Sequence, residues 1–436
     1  MRLMAADVAK ATNGILVGQN AHLSGVSFDS RNIRPGQLFV PIVAERDGHE
    51  FVLAALAAGA GAYLTTGKTF GRTSIAVPDT LAALLQLGAW GRNKLDAQLA
   101  NRVVGITGSV GKTSTKDFIA AALGSALRVT ANERSFNNDQ GLPVTILNAA
   151  DDVEALVLEM GMRGFGEIAR LCAIARPNIG VVTRVASAHT ERVGDIEGVA
   201  RAKSELVIAL DASGFAVLNA DDERVVAMRS LTDATVITYG VSPSATVRMT
   251  SCVLDERACA SVSIESPWGK ASWKMNVPGR HMAHNAVGAI AVAGVLGLDL
   301  QRAAQAIETS ILSEMRMQHR TARSGALIID DSYNANPASM TAALHALSAT
   351  QASRRIAVLG VMAELSEPEG DHMQVSLIAK QLGIEIIAVG TDLYGVQSRS
   401  LDEVAAMLST VENTTAILIK GSRVAQLEKL VSLLTN

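Results

Sequence analysis

The 436-residue sequence contains little cysteine and has no excess of positive charge. Its three cysteines, Cys172, Cys252 and Cys259, are odd in number, and they match neither a disulfide framework nor the paired spacing of zinc ligands. Lys and Arg number 39 against 42 for Asp and Glu, a formal net charge of -3, whereas non-specific nucleic-acid binding needs a basic surface. We therefore expect a cytoplasmic protein in a reducing compartment, without a nucleic-acid partner.

The sequence also lacks a long uninterrupted apolar run. The N-terminal segment MRLMAADVAKATNG has no apolar core followed by a cleavage site, which a secretory signal would show. The longest uncharged stretch, residues 51–67, is interrupted by Gly59 and Gly61 and is a little short for a membrane span. We interpret it as a buried helix followed by a strand, and we expect no membrane insertion.

Apolar residues are nevertheless abundant enough for several cores. They make up 48% of a chain that is too long for one ordinary core. From Val103 onward, apolar runs alternate with helical stretches, which is typical of an α/β protein with a mostly parallel sheet. These runs lie at 103–107, 155–159, 179–184 and 215–219. Residues 245–277 instead alternate apolar and polar in three short runs, which predicts an antiparallel appendage, and a helix is expected over residues 282–296.

Three domains follow from these patterns. We predict a small N-terminal α/β domain over 1–80, a central domain with a mostly parallel sheet over 81–308, and a Rossmann-like C-terminal domain over 309–436. The last has apolar runs at 326–331, 355–360, 385–390 and 416–420. Its first strand is followed by Ser-Tyr-Asn-Ala-Asn-Pro and not by a glycine-rich fingerprint, so NAD is not expected.

A phosphate loop lies at the start of the central domain. The run TGSVGKT stands between the apolar strand VVGIT and a helical stretch. Small residues let backbone N–H groups converge on phosphate oxygens, Lys112 supplies positive charge, and Thr113 can ligate Mg²⁺. The predicted nucleotide-binding residues here are Thr107, Gly108, Ser109, Val110, Gly111, Lys112, Thr113 and Ser114. Switches, transporters and kinases share such loops, so the loop alone does not identify a reaction.

The form T-G-S-x-G-K-T resembles the loop of the Mur ligases and the folylpolyglutamate synthetases, which join amino acids to carboxylates. Further segments resemble, in order and spacing, the Mur ligases that add D-alanyl-D-alanine to UDP-N-acetylmuramoyl-tripeptide. They include FDSR at 28–31, DGH at 47–49, FNN at 136–138, EMG at 159–161, AKSE at 202–205, DSYNANP at 331–337 and KGSR at 420–423.

The resemblance implies a division of labour among the three domains. The N-terminal domain would hold the UDP precursor, the central domain would bind ATP, and the C-terminal domain would bring the incoming dipeptide. An acyl-phosphate would form on the precursor and be attacked by the dipeptide amine, with ATP and two Mg²⁺ ions as cofactors. We expect a monomer.

The resemblance also implies catalytic roles for Lys112, Glu159, His189 and Lys203. Thr113, Glu159 and His189 would be Mg²⁺ ligands, together with Lys203 through a carbamate formed with CO₂. Without the resemblance, Glu159 is better interpreted as a surface carboxylate at a strand end. In the same way, His189 would be a hydrogen-bonded structural residue and Lys203 a solvated lysine on an amphipathic helix.

The remaining site residues are implied by the same likeness. Those expected to contact ATP outside the loop are Asn138, His281, Asn285, Arg316 and Asp331. Those expected to contact the UDP precursor are Ser30, Arg31, Asp47, Gly48 and His49. Those expected to shape the loop for the dipeptide are Asn334, Asn336 and Pro337.

Two alternatives stay open at the level of the sequence. The first is another amide ligase of the same kind, such as one that adds the third peptide residue or a folate glutamate ligase. The DSYNANP and FDSR segments favour the dipeptide-adding members. The second is a switch that hydrolyses ATP to change shape without ligating anything, and formation of an amide product would separate the two.

Overall fold

The N-terminal residues form two small sheets. The computed structural model describes residues 1–67, 69–133, 136–186 and 190–435. The elements here are β1 (Arg2–Met4), α1 (Ala5–Ala11), β2 (Ile15–Val17), β3 (His22–Ser24), β4 (Val26–Ser27), β5 (Leu38–Phe39), α2 (Val52–Ala57), β6 (Ala62–Thr65) and β7 (Ser74–Ala76). β1 pairs with β3, and the second sheet has the order β2-β7-β6-β5-β4, with β4 to β7 parallel. The helix and strand predicted within 51–67 are therefore confirmed.

Helix α3 (Thr80–Lys94) connects these sheets to the central ones. It begins at Thr80 because the carboxylate of Asp79 accepts hydrogen bonds from the backbone N–H groups of Leu81 and Ala82. A second connection is made by Asn148, whose side chain exchanges two hydrogen bonds with the backbone of Val26, at 2.8 and 2.9 Å. The N-terminal sheets are thus tied to the rest of the chain by both packing and polar contacts.

The central part is built on a nine-stranded sheet. Its elements are α4 (Asp96–Leu99), β8 (Val103–Thr107), α5 (Lys112–Gly124), β9 (Val129–Ala131), α6 (Gly141–Leu147), β10 (Ala155–Glu159), α7 (Glu167–Ala175), β11 (Ile179–Val182), α8 (Thr190–Val193), α9 (Ile196–Ile208), β12 (Phe215–Asn219), α10 (Glu223–Ala227), β13 (Thr235–Gly240), β14 (Val247–Leu254), β15 (Cys259–Ser266), β16 (Gly269–Pro278), α11 (Arg280–Val295) and α12 (Leu300–Glu308). The strand order is β16-β15-β14-β13-β12-β11-β8-β10-β9.

The predicted parallel sheet and its antiparallel appendage are both confirmed. All the pairs among β8 to β14 are parallel, whereas the β14–β15 and β15–β16 pairs are antiparallel. The strand predicted at 179–184 ends earlier, at Val182. The next residue, Thr183, still donates its backbone N–H to the carbonyl of Thr107 at 3.0 Å, but its own carbonyl accepts from the side-chain amide of Asn219 at 2.7 Å. Its hydroxyl donates to the carbonyl of Val110 in the phosphate loop at 2.6 Å.

The C-terminal part contains a six-stranded sheet. Its elements are β17 (Gln318–Thr321), β18 (Leu327–Asp331), α13 (Pro337–Ala349), β19 (Arg354–Leu359), α14 (Pro368–Gln381), β20 (Glu385–Val389), β21 (Ser398–Arg399), α15 (Leu401–Leu408), β22 (Thr415–Lys420) and α16 (Glu428–Thr435). The order is β17-β18-β22-β19-β20-β21, parallel except for β17. The mixed α/β class is confirmed, while the domain limits at 80 and 308 stay predictions.

The strand orders decide where a ligand can bind. In the central sheet, β8 lies between β10 and β11, so the chain crosses from one side of β8 to the other. Loops leaving the carboxyl ends of such strands diverge and leave a crevice. In the C-terminal sheet, β22 lies between β18 and β19 and creates a second crevice of the same kind. As far as the structure describes the chain, its helices are all too short or too polar to cross a bilayer.

Candidate active site

One large cleft of about 1060 Å³ joins the two crevices. It is lined from the central side by the phosphate loop and the ends of β10 and α11, and from the other side by the ends of β18 and β22. Many residues predicted from the sequence line it. They are Ser109, Val110, Gly111, Lys112, Thr113, Ser114, Asn138, Glu159, Lys203, His281, Asn285, Arg316, Asp331, Asn334 and Asn336.

The phosphate loop is shaped by close approaches that only glycine allows. Gly111 has a φ of +84°, and a Cβ added there would lie 2.8 Å from the Oδ1 atom of Asn285. The Nζ atom of Lys112 donates to the carbonyl of Gly108 at 2.6 Å, which folds the ammonium back over the loop. Desolvation lowers the pKa of Lys112, with the charge of Glu159 opposing the shift and that of Arg316 adding to it. The loop therefore presents a cation where a phosphate would lie.

Glu159 is buried at the end of β10, with 2% of its surface exposed. The hydroxyl of Thr113 donates to one carboxylate oxygen at 2.8 Å, and the side-chain amide of Asn137 donates to the other at 2.7 Å. The backbone N–H of Glu159 donates to Oδ1 of Asn132 at 2.6 Å. The alternative of a surface carboxylate is wrong. Asn137 and Asn132 were missed as site residues, although Asn137 stands in the FNN segment.

This arrangement fits a divalent cation at the phosphate loop. Mg²⁺ prefers hard oxygen ligands, and a hydroxyl and a carboxylate lie within hydrogen-bonding distance of each other here. His189 and Lys203, through its carbamate, are the other predicted ligands, and His189 lies outside the described residues. The oxygen atoms of Thr113 and Glu159 have the chemistry that such a cation prefers, and the assignment of the metal ligands stays a prediction.

Lys203 is not a solvated lysine. It lies on α9 with 2% of its surface exposed and lines the cleft. Desolvation lowers the pKa of Lys203 well below its usual value, and the positive charge of Lys112 lowers it further. Because both effects disfavour the ammonium, Lys203 is held toward its neutral, nucleophilic amine form. The helix pattern alone could not reveal this burial.

Arg316 reaches from the C-terminal side to the phosphate loop. Its Nη2 atom donates to the hydroxyl oxygen of Thr113 at 3.2 Å, and its guanidinium lies 4.2 Å from the ring centroid of Tyr333. Stacking of this kind restrains the plane of the guanidinium. Arg316, Thr113 and Glu159 therefore form one polar chain that joins the two large sheets.

Asp331 is held by a buried lysine that was missed as a site residue. Its Oδ2 atom lies 2.5 Å from Nζ of Lys420 at the end of the neighbouring strand β22, and Lys420 also donates to the carbonyl of Asn334 at 2.9 Å. The other oxygen accepts from the backbone N–H of Met317 at 3.3 Å. Asp331 is thus more than a cap at a strand end, because it belongs to a buried ion pair.

Helix α11 contributes Arg280, His281, Met282, His284 and Asn285 to the lining of the cleft. Asn285 packs against Gly111, and His281 lies one turn earlier. Desolvation lowers the pKa of His281 to about 4, although the charge of Asp331 acts in the opposite direction. His284, which was not predicted, lies with Nε2 at 2.8 Å from Oδ2 of Asp221. Asn285, His281 and His284 therefore put polar groups at the side of the cleft next to the phosphate loop.

The loop after β18 carries the residues expected to receive the dipeptide. Asn334 and Asn336 line the cleft. The side chain of Asn336 is already used as a helix cap, since its Oδ1 accepts from the backbone N–H of Ser339 at 2.9 Å. Pro337 begins α13 at a position where its missing N–H is tolerated. The Oδ1 atom of Asn138 accepts from the backbone N–H of Gly141, the first residue of α6, at 2.9 Å, and Asn137 is the residue that contacts Glu159.

The five predicted N-terminal residues gather away from the cleft, at the carboxyl edge of the five-stranded sheet. Arg31 forms a bidentate pair with Asp29, at 2.8 and 2.9 Å. Asp47 contacts Nδ1 of His49 at 2.6 Å, while Nε2 of His49 accepts from the backbone N–H of Thr66 at 3.2 Å. The ring proton is therefore on Nδ1.

The other two N-terminal candidates shape the same edge. A Cβ at Gly48 would lie 2.6 Å from backbone atoms of Ile42, so a glycine is required there. Ser30 begins a short 3-10 helix that Asp29 caps. The edge therefore presents a small polar surface of its own.

Comparisons with known proteins agree with these features. Residues 106–293 match the Mur ligase middle domain, and residues 315–423 match the Mur ligase, glutamate ligase domain. The chain is 39% identical over 395 residues to the UDP-N-acetylmuramoyl-tripeptide–D-alanyl-D-alanine ligase of Mycobacterium tuberculosis, covering 84% of this chain and 77% of that one. It is 33% identical to the Escherichia coli protein of the same name, covering 96% and 95%.

Solved structures show the same likeness over nearly the whole chain. MurF from Acinetobacter baumannii superposes with a TM-score of 0.89 at 26% identity, covering 99% of this chain and 98% of that one. MurF from Thermotoga maritima in complex with ADP superposes with a TM-score of 0.80 at 26% identity, covering 94% and 96%.

Proposed function

This chain belongs to the Mur ligase family, and we propose that it joins D-alanyl-D-alanine to UDP-N-acetylmuramoyl-tripeptide with consumption of ATP. The observation that carries the proposal is the polar chain from Arg316 through Thr113 to Glu159, which crosses between the two large sheets at the phosphate loop. An ATP triphosphate in this loop would face groups from both sides. The ligases named above, which match across most of the chain, support the substrates.

The chemistry requires activation of a carboxylate. A carboxylate is a poor electrophile, so the γ-phosphoryl group of ATP is transferred to its oxygen, which gives an acyl-phosphate and ADP. The dipeptide amine then attacks the acyl carbon, phosphate leaves, and the amine loses a proton as the amide forms. Lys112, Arg316 and the N–H groups of the phosphate loop would stabilise the charge on the transferring group. In this scheme the substrates form no covalent bond to the protein.

Mg²⁺ would be held at this loop by Thr113 and Glu159, and a second ion by His189 and modified Lys203. Bound divalent cations neutralise charge on a triphosphate. The side-chain amide of Asn137 supports this assignment. It donates to the carboxylate oxygen of Glu159 that Thr113 does not contact, at 2.7 Å, and so restrains the carboxylate. The position of that carboxylate is thus defined before any cation binds.

Lys203 would become a carbamate. Its neutral amine attacks CO₂ and releases one proton, which gives an anionic carbamate in place of a neutral amine. Burial and the lowered pKa of Lys203 support this proposal, because only the unprotonated amine is nucleophilic. A buried ammonium beside Lys112 would instead repel divalent cations.

The other roles are proposed from the resemblance to the Mur ligases. Asn285 and His281 would contact the adenine, and Asp331 the ribose. The N-terminal edge with Arg31 and His49 would hold the UDP part of the precursor. The loop containing Asn334 would receive the dipeptide. We further propose that the protein acts as a cytoplasmic monomer.

One experiment tests the function directly. Purified protein is mixed with ATP, Mg²⁺, UDP-N-acetylmuramoyl-tripeptide and D-alanyl-D-alanine, and the products are identified by mass. The expected result is the pentapeptide precursor with one ADP and one phosphate per amide bond. Replacing the dipeptide by a single amino acid tests the related ligases. Phosphate release without any amide product would favour the alternative of an ATP-hydrolysing switch.

A further inference from the structure

Residues 309–317 connect α12 to β17 and carry Arg316 to the phosphate loop. Ser313, three residues before Arg316, is bound by the carboxylate of Asp117 on α5. Its backbone N–H donates to Oδ2 at 2.8 Å and its hydroxyl donates to Oδ1 at 3.2 Å. Both oxygens of one carboxylate are therefore used to hold one residue of this connection, across a separation of 196 positions.

The carboxylate of Asp117 is itself well restrained. Its side chain is 12% exposed and pairs with Lys116 at 2.8 Å. Lys116 is buried as well, and its ammonium donates to the backbone carbonyl of Asn132 at 2.8 Å. Asn132 in turn accepts from the backbone N–H of Glu159. The group that holds Ser313 is thus linked, through Lys116 and Asn132, to the backbone of Glu159.

The two attachment points of the connection are one helical turn apart. Thr113 and Asp117 are at positions i and i+4 of α5 and so lie on the same face. Arg316 contacts the first and Ser313 contacts the second. Met315, which lies between Ser313 and Arg316, and Met317, which follows Arg316, have φ values of +60° and +52°. Side-chain-bearing residues seldom adopt this conformation, so outside contacts must hold the connection in this shape.

We infer that Asp117 is a positioning residue for the ligation reaction, which acts by setting where Arg316 meets the phosphate loop. Asp117 does not line the cleft, so it would not touch ATP. Without its two hydrogen bonds, Ser313 loses its attachment to α5. The connection then keeps the contact of Arg316 with Thr113 and the hydrogen bonds of Ser310, Met315 and Met317 to Asn276, Tyr333 and Asp331. The inference rests on the proposed function, because Arg316 is assigned there to the γ-phosphate.

The test is a double-mutant cycle between Asp117 and Arg316. Asp117→Asn keeps the size of the side chain but turns one acceptor oxygen into a donor, which then faces either Ser313 or Lys116. We expect kcat to fall by about tenfold or more, since small misplacements of a charge-stabilising group are costly. In the Arg316→Lys background, the same change should lower kcat by less than about twofold, because the contact it supports is already lost.

Three further measurements keep the test decisive. Ser313→Ala removes the hydroxyl but keeps the backbone N–H, so a smaller fall in kcat is expected even if Asp117→Asn folds poorly. Asp299→Asn is the matched control, because Asp299 caps α12 by accepting from Arg302 at 2.8 Å and does not line the cleft. Melting curves of all variants are recorded alongside.

Equal falls in kcat in both backgrounds, or wild-type kcat in Asp117→Asn and Ser313→Ala, would overturn the inference. Amide formation by the unmodified protein is measured in the same assay. A lack of amide product there would contradict the proposed function alone, since phosphate release would still report on the coupling of Asp117 to Arg316.

Discussion

The ammonium of Lys420 lies 2.5 Å from the carboxylate of Asp331, and both residues are buried at the ends of adjacent strands, with 1% and 7% of their surfaces exposed. Desolvation lowers the pKa of Lys420, while the nearby carboxylate raises it. Loss of one member of such a pair leaves the other charge buried without compensation. Asp331 therefore stabilises the fold by neutralising the buried charge of Lys420, besides any contact with a nucleotide.

We predict that Asp331→Asn lowers the free energy of unfolding by about 3 kcal/mol and raises the KM for ATP more than that for either other substrate. The two effects are separated by Asp331→Asn combined with Lys420→Met, which removes the uncompensated charge. Urea unfolding should show that the double variant regains stability. Its KM for ATP should stay high. If only the KM for the dipeptide moved, the ribose assignment would be wrong.

A second prediction concerns Lys112, whose ammonium faces the carbonyls of its own loop and not an apolar core. Lys112→Ala should abolish both ATP turnover and ligation while leaving the circular dichroism spectrum and the melting temperature nearly unchanged. Burial already disfavours this charge, so its removal should not destabilise the fold. Lys429→Ala, at an exposed position of α16, serves as the control. Near-normal turnover in Lys112→Ala would remove the phosphate-loop assignment.

A third prediction is a loss of stability in mild acid that depends on His319. Desolvation and the nearby charge of Arg257 lower the pKa of His319 to about 4, against the opposing influence of Asp255. Between this value and the usual value near 6.5, the unfolded chain binds a proton that the folded chain does not. Stability should therefore fall as pH is lowered through this window, by at most about 1.4 kcal/mol per pH unit from this group.

The variant His319→Gln tests whether this histidine causes the fall in stability at lower pH, because glutamine does not titrate. Urea unfolding at pH 7 and pH 5 should show a smaller pH dependence for His319→Gln than for the unmodified protein. His22→Gln, at an exposed position of β3, should leave the pH dependence unchanged. An unaltered dependence in His319→Gln would show that this histidine is not the group responsible.

The elements that were predicted correctly from the sequence are those whose signal lies within a short stretch of the chain. Strands such as β8 and β10 are buried on both faces and so appear as continuous apolar runs. The phosphate loop is also local, since its glycines and Lys112 lie within a few positions of each other. Glu159 and Asp331 were predicted from the resemblance. Each ends such a strand, at the edge where parallel sheets place their ligands, but that position alone favoured a surface carboxylate for Glu159 and a strand-end cap for Asp331.

The residues that were missed depend on partners far away in the chain. Lys420 and Asp331 are separated by 89 positions, and no periodicity relates them. Asp117 appears in the sequence as an ordinary helix residue until Ser313 is seen to bind it. Lys203 was predicted only from the resemblance, since its helix pattern is that of a solvated face. Its burial depends on how α9 packs beside the cleft. Such contacts come from tertiary structure, which local patterns do not encode.

The last prediction concerns Lys203, where the carbamate and an unmodified lysine lead to opposite results. Lys203→Ala should lose most ligase activity and regain part of it when short carboxylic acids are added, because a diffusible carboxylate can occupy the space left by the shortened side chain. Depletion of CO₂ should slow the unmodified protein, and bicarbonate should restore its rate. Arg201→Ala, at an exposed position of the same helix, is the matched control and should show neither effect. The physical reason is that divalent cations near a triphosphate need anionic ligands, whereas a buried ammonium beside Lys112 would repel them. A fully active Lys203→Ala variant would refute the carbamate.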